Sequence, residues 1–198
     1  MAGLKSALLG FEVLLLLTAL GAGLAATASL FLSRQEIEGS DCLLYGNFNW
    51  TGAAVVGDKA KCDFSLFAQI VVSGVALVSA LYRCLSIPCE KLDLVCFRVL
   101  SVIIYGLSAA FVLIESVIVH VGVEQFCESM TDNPIVLSNS TCQSNQDLFN
   151  TLMGSEANFY GDLRISAVAS WVSLGTWLVL TGVALISICV RDDDKNMA

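Results

Sequence analysis

Two acids and the sole histidine stand where a sequence normally avoids ionisable groups. Glu12 lies inside the apolar run that opens the chain, and Glu115 and His120 lie within FVLIESVIVH, residues 111–120. Ionisable side chains in apolar spans are costly and usually face a bundle interior or a cavity. Two chemistries follow. One is a proton or cation path through Glu12, Glu115 and His120. The other is polar contact that joins helices, within the chain or to a partner. Glu115 and His120 are five residues apart, whereas stacked neighbours on a helix are three or four apart. That spacing favours contact over a relay. Glu12 is near enough to the end of its run to snorkel toward the interface.

Cysteine supplies the second set of reactive groups. Cys42 and Cys62 precede one apolar run, and Cys127 and Cys142 precede another. An even number in each loop fits an oxidising compartment and two disulfides. Four cysteines allow three pairings, and pairing within each loop is preferred because each pair closes a short loop. Cys84, Cys89, Cys96 and Cys189 fall at the opposite ends of the apolar runs. They are candidates for reversible acylation, against the plainer reading of unmodified thiols. Their spacing, without partnering histidines, is poor for zinc, so no metal site is expected. The triplets Asn49-Trp50-Thr51 and Asn139-Ser140-Thr141 are acceptors for N-linked glycan.

No enzyme constellation is visible. A nucleophile–base pair would have to use His120 inside a span. No HExxH, phosphate-binding or dinucleotide pattern is present. The reading is non-enzymatic, with no cofactor.

These residues need elements to position them. The 198-residue chain is 56% hydrophobic and 14% charged, so lipid rather than water is its solvent. The net charge of −8 gives no basic patch for nucleic acid. Apolar runs cover about residues 7–32, 65–87, 97–123 and 165–190. Each exceeds the ~20 residues a helix needs to cross a bilayer, and only helices satisfy their own backbone there. The first run is too long for a secretory signal and is read as an uncleaved span. The predicted fold is an all-α membrane protein, one four-helix tetraspan domain over 1–198. Its outer loops are about 33–64 and 124–164, its inner link 88–96 and its tail 191–198.

Orientation follows from three signals. Lys5, Arg83, Lys91, Arg98, Arg191 and Lys195 lie with the termini and the short link, and Arg34, Lys59, Lys61 and Arg164 lie with the long loops. The bias per residue favours cytoplasmic termini. Both sequons and the two even cysteine sets place the long loops outside or in a lumen. The membrane is then a plasma, endosomal or vesicle membrane, with lipid as the first partner.

In loop one, β-formers after Cys42 and a Gly57-Asp58 turn signal predict a short hairpin. Loop two is expected to have little regular structure before Cys142, with residues 147–164 extending the last helix outward. The two loops hold eleven Asp or Glu, read as a solvated face. Small residues recur at packing intervals: Gly21, Ala25 and Ser29; Ala19, Gly23 and Ala26; Gly106, Ala109 and Ala110; Gly175 and Gly182. They let helices approach closely, inside the bundle or against a neighbour. Trp171 is expected near the outer interface, and Trp177 deeper.

Several segments resemble the transmembrane protein 179 family. They are CLLYG at 42–46, CDFSLFAQIVVSGVALVSALYR at 62–83, VGVEQFCESMT at 121–131 and NFYGDLRISAVASWVSLGTWL at 158–178. The resemblance implies a four-span membrane protein with no established enzyme activity. Glu115, His120 and the short tail RDDDKNMA depart from what it suggests. The Trp…Gly-Leu-Trp…Cys…Cys signature of claudin-like proteins is absent, since Trp50 lies between Cys42 and Cys62. The layout is also similar to synaptophysin-like vesicle proteins. The expected function is an accessory, auxiliary or scaffold subunit packed against a larger receptor, channel or transporter. The alternatives are a small transporter or channel, as a homo-oligomer or alone, and a vesicle-organising tetraspan.

Overall fold

The chain is described by a computed structural model over residues 2–35, 42–49, 54–86, 95–131, 141–153 and 158–196. Its elements are α1 (Ala2–Gln35), β1 (Asn47–Asn49), β2 (Ala54–Val56), α2 (Lys59–Ser86), α3 (Val95–Thr131), α4 (Cys142–Met153) and α5 (Phe159–Asn196). Four helices are long and apolar enough to cross a membrane, over Ala7–Arg34, Lys59–Ser86, Arg98–Thr131 and Phe159–Ile188.

The helices bury many small and polar residues and turn many large apolar ones outward. Leu14, Leu24, Val78, Leu107 and Leu178 are all more than half exposed. That inversion suits a lipid solvent, where packing of small side chains holds helices together. On α1 the buried face is Glu12, Leu16, Ala19, Gly23, Ala26 and Leu30, a spacing of three and four. A Cβ at Gly23 would overlap Ser73 Oγ on α2, so glycine there sets the α1–α2 approach. Of the two small-residue stripes on α1, the one through Gly23 packs inward. Gly21 and Ala25 are exposed, and Gly21, Gly106, Gly175 and Gly182 face open space.

The four long helices close a ring in the order α1, α2, α3, α5, and α2–α3 is its thinnest seam. One core, nearer the chain termini, gathers Leu16, Val72, Ala76, Tyr105, Val112 and Trp177. A second core, under the long connections, gathers Leu30, Leu43, Leu44, Phe126, Phe159 and Leu163.

The described parts of the connections hold regular elements; residues 132–140, where little regular structure is expected, lie outside the described residues. β1 and β2 pair antiparallel, with Phe48 opposite Val55, which is the expected hairpin. Asp58 caps α2: its Oδ1 accepts from Ala60 N at 3.1 Å and Lys61 N at 3.4 Å, as an N-cap side chain does. The helix therefore starts at Lys59, and Cys62 lies on it rather than in a loop. α3 runs to Thr131, about two turns past the expected end. Of residues 147–164, only 159–164 extend the last helix outward; α4 ends at Met153 and α5 starts at Phe159. Thr141 and Ser144 form a reciprocal cap at the start of α4, with Ser144 N donating to Thr141 Oγ1 at 3.2 Å and Thr141 N to Ser144 Oγ at 2.9 Å. That geometry parallels the capping box.

Candidate functional site

The polar chemistry of the bundle is concentrated in two buried clusters, each closed by residues from three helices. The lower one is centred on Glu12, only 5% exposed. Arg83 on α2 pairs with Glu12 Oε1 at 2.9 Å. Tyr105 on α3 donates its hydroxyl to the same oxygen at 2.9 Å. Arg83 Nη2 reaches Ser101 Oγ at 3.3 Å. The Tyr105 ring then leans on Trp177 of α5, centroids 5.7 Å apart. Glu12 thus does not snorkel; a buried carboxylate needs a counter-charge and hydrogen bonds, and Arg83 and Tyr105 provide both.

The upper cluster is centred on Glu115, 1% exposed. Gln69 Nε2 on α2 donates to Glu115 Oε2 at 2.6 Å. Ser170 Oγ on α5 donates to Glu115 Oε1 at 3.0 Å. Both partners are neutral, and no cation reaches this carboxylate among the described residues. Buried around the clusters are further hydroxyls, Ser65, Ser73, Ser116 and Ser173, whose oxygens find no partner among the described residues.

His120 is not part of either cluster. Its side chain is 52% exposed, faces Glu124 on the next turn at 3.5 Å, and stands edge-on to Trp171 at 6.2 Å. Five residues rotate a side chain by about 140° round a helix of 3.6 residues per turn. Glu115 points into the bundle and His120 out of it, so the two do not form a relay. Trp171 is 42% exposed, whereas Trp177 is fully buried.

Above the upper cluster the long connections make a tethered cap. Cys42 is bonded to Cys62 and Cys127 to Cys142, with Cα atoms 6.1 and 5.3 Å apart; the pairing is the expected one, although Cys62 lies on α2, Cys127 on α3 and Cys142 on α4. Leu43 and Leu44 are buried as a plug. Tyr45 turns the chain at φ 59°, and its N–H donates to Gly122 O on α3 at 3.2 Å. A Cβ at Gly57 would collide with Cys42 O and Leu44 O, so glycine is required where the hairpin returns. Lys61 sits over the Tyr45 ring at 3.5 Å. On the other side, Gln146 of α4 accepts from Tyr160 N at 2.8 Å, which satisfies an orphan donor at the start of α5.

Of the other sites, Asn49 ends β1. Asn139 and Cys89 lie outside the described residues, and Cys96 and Cys189 lie on α3 and α5 without described side chains. Cys84 is an exposed free thiol. Sequence reasoning missed Arg83, Tyr105, Gln69 and Ser170. Arg83 reads as an interfacial charge, and its partner lies 71 residues away.

Comparison with known proteins agrees with this architecture. A family model described as transmembrane protein 179/179B claudin domain matches residues 8–198. Mouse transmembrane protein 179B is 26% identical over 171 residues, covering 84% of this chain and 76% of that protein. The match to a claudin-domain description comes without the loop-one signature of claudin-like proteins. No solved structure matches the chain.

Proposed function

We propose that this chain, which belongs to the transmembrane protein 179/179B claudin-domain family, serves as a non-enzymatic accessory or scaffold subunit for a larger receptor, channel or transporter. The observation that carries this reading is how the intramembrane acids are used. Glu12 and Glu115 are each closed inside the bundle by partners from other helices, and His120 faces away. Groups engaged in this way hold helices together. What the chain offers a neighbour is a rigid cap, tied by two disulfides, above an apolar belt. In this reading the cap is outside or lumenal, the termini are cytoplasmic, and Asn49 and Asn139 carry glycan, because disulfides persist in oxidising compartments. Cys84, Cys89, Cys96 and Cys189 then lie on the cytoplasmic side as acylation candidates.

The test is purification from native tissue in mild detergent, followed by mass spectrometry with stoichiometry. Recovery of one large membrane protein at a fixed ratio supports the accessory role. Recovery alone or as a homo-oligomer overturns it. One observation favours a second reading as a small proton or cation transporter: Glu115 has neutral partners. Flux in liposomes that disappears in Glu115→Gln would support that reading.

A further inference from the structure

A cleft of about 710 Å³ opens between α1, α4 and α5, away from both polar clusters. Its lining changes character along the membrane normal. At the loop end are Gln143, Gln146, Asn158 and Arg164, and deeper lie Ala22, Ile165, Val168, Ala169 and Val172. Ser166 Oγ donates to Ala26 O at 3.2 Å, which fixes α1 beside α5. From that level both helices descend together, α1 toward Thr18 and α5 toward Val172. From Asn158 to Val172 is about 21 Å at 1.5 Å per residue, about the depth of one leaflet with its headgroup region.

The floor of the cleft includes two small residues, Ala22 on α1 and Ala169 on α5, where larger side chains would narrow it. At the mouth, a Cβ on Gly161 would press into the Asn158 side chain, so glycine leaves the opening clear.

The charge at the mouth is selective. Arg164 is exposed and has no ion-pair or hydrogen-bond partner among the described residues. Among the described residues no Asp or Glu lines the cleft, although the chain carries a net charge of −8. An unpaired guanidinium is suited to phosphate, which it binds through two parallel hydrogen bonds. Amide side chains beside it add donors. Below them the walls are apolar, and the volume lies within the usual range for a bound small molecule. A soluble anion would use the mouth and leave the apolar floor unfilled. A protein helix would not fit a cleft walled at its top by α4.

We infer that this cleft binds one anionic phospholipid of the loop-side leaflet, with its phosphate on Arg164 and one acyl chain along the Ala22–Ala169 floor. The test uses the full chain purified in a nonionic detergent and incubated with phosphatidylglycerol or phosphatidylcholine. Native mass spectrometry counts retained lipid. The expected result is one phosphatidylglycerol per chain, retained at least about fivefold better than phosphatidylcholine. Arg164→Gln lowers that retention about fivefold, and Ala169→Phe lowers it equally by filling the floor. Ala22→Leu fills the same floor with a smaller change if Ala169→Phe does not fold. Equal retention of the two lipids overturns the inference, as does undiminished retention in Arg164→Gln or in both floor variants. Protection against heating by glycerol 3-phosphate alone, to the same degree as by the lipid, also overturns it and marks a phosphate site without a chain. So does displacement of the lipid by a co-purifying membrane protein.

Discussion

Glu12 and Glu115 are both acids on apolar helices, and both are at most 5% exposed. One is held by a guanidinium and a phenol, the other by an amide and a hydroxyl. Along α2, their partners Arg83 and Gln69 are about 21 Å apart. The two clusters fasten the same thin seam between α2 and α3 at two levels, by different chemistry. The ionic one has a strong interaction whose loss strands a charge. The one whose partners are neutral has directional hydrogen bonds from an amide and a hydroxyl to its carboxylate. Charged and uncharged partners are therefore separated along one bundle.

The comparison breaks most visibly at Arg83. Arg83→Met leaves the Glu12 carboxylate without its counter-charge, and the expected loss is about 3–5 kcal/mol. Thermal or denaturant unfolding in detergent reads it. Pairing that change with Glu12→Met removes both charges and is expected to recover most of the loss. If the double variant is as unstable as the single one, the ion pair is not the source. Next in size is Gly23→Val, which forces a side chain against Ser73 and Gln69 beneath the neutral cluster. Overpacking of this kind costs about 1–3 kcal/mol. The same measurement on Gly21→Val, which faces open space, is expected to show little change.

The comparison sharpens at Glu115. Glu115→Gln keeps an acceptor for Gln69 and a polar group beside Ser170, and the expected change is below about 1 kcal/mol. A loss as large as that of Arg83→Met would mean that charge matters equally at both levels. The smallest effect is expected at Arg34, whose 3.0 Å pair with Asp63 is open to solvent. Arg34→Ala is expected to cost no more than about 1 kcal/mol.

The sequence discloses these features unequally. The four spans are legible because lipid demands about 20 apolar residues in a row. The two disulfides are legible because each closes a short loop between adjacent elements. The hairpin is signalled by the β-formers after Cys42, whereas Gly57-Asp58 falls after β2 and leads into α2. The clusters are not legible, because each depends on which helices become neighbours. Arg83 looks like any cation at the end of a span until Glu12 is brought beside it. Gln69 and Ser170 look like minor polar interruptions until they converge on Glu115. The stripes on α1 illustrate the same limit: spacing offers two, and only the position of Ser73 selects the one through Gly23. α4 carried a usable sign in Thr141 and Ser144, but its polar composition resembles a loop. It packs against α3 and α5, contacts that its local pattern does not announce.

One dimension of the molecule has a mechanical corollary. α3 has 37 residues, about 55 Å at 1.5 Å per residue, against a hydrocarbon core of about 30 Å. It carries Glu115 on its buried face, and about two turns above that it carries Gly122, whose carbonyl receives the Tyr45 N–H of the plug. Farther along come Cys127 and Ser129, the latter donating to Gly46 O at 3.0 Å. The cap and the neutral cluster are thus fixed to one uninterrupted rod. A torque applied to the cap about that rod has no intervening joint in which to dissipate, and it arrives at the Gln69–Glu115–Ser170 contacts as a rotation of the carboxylate.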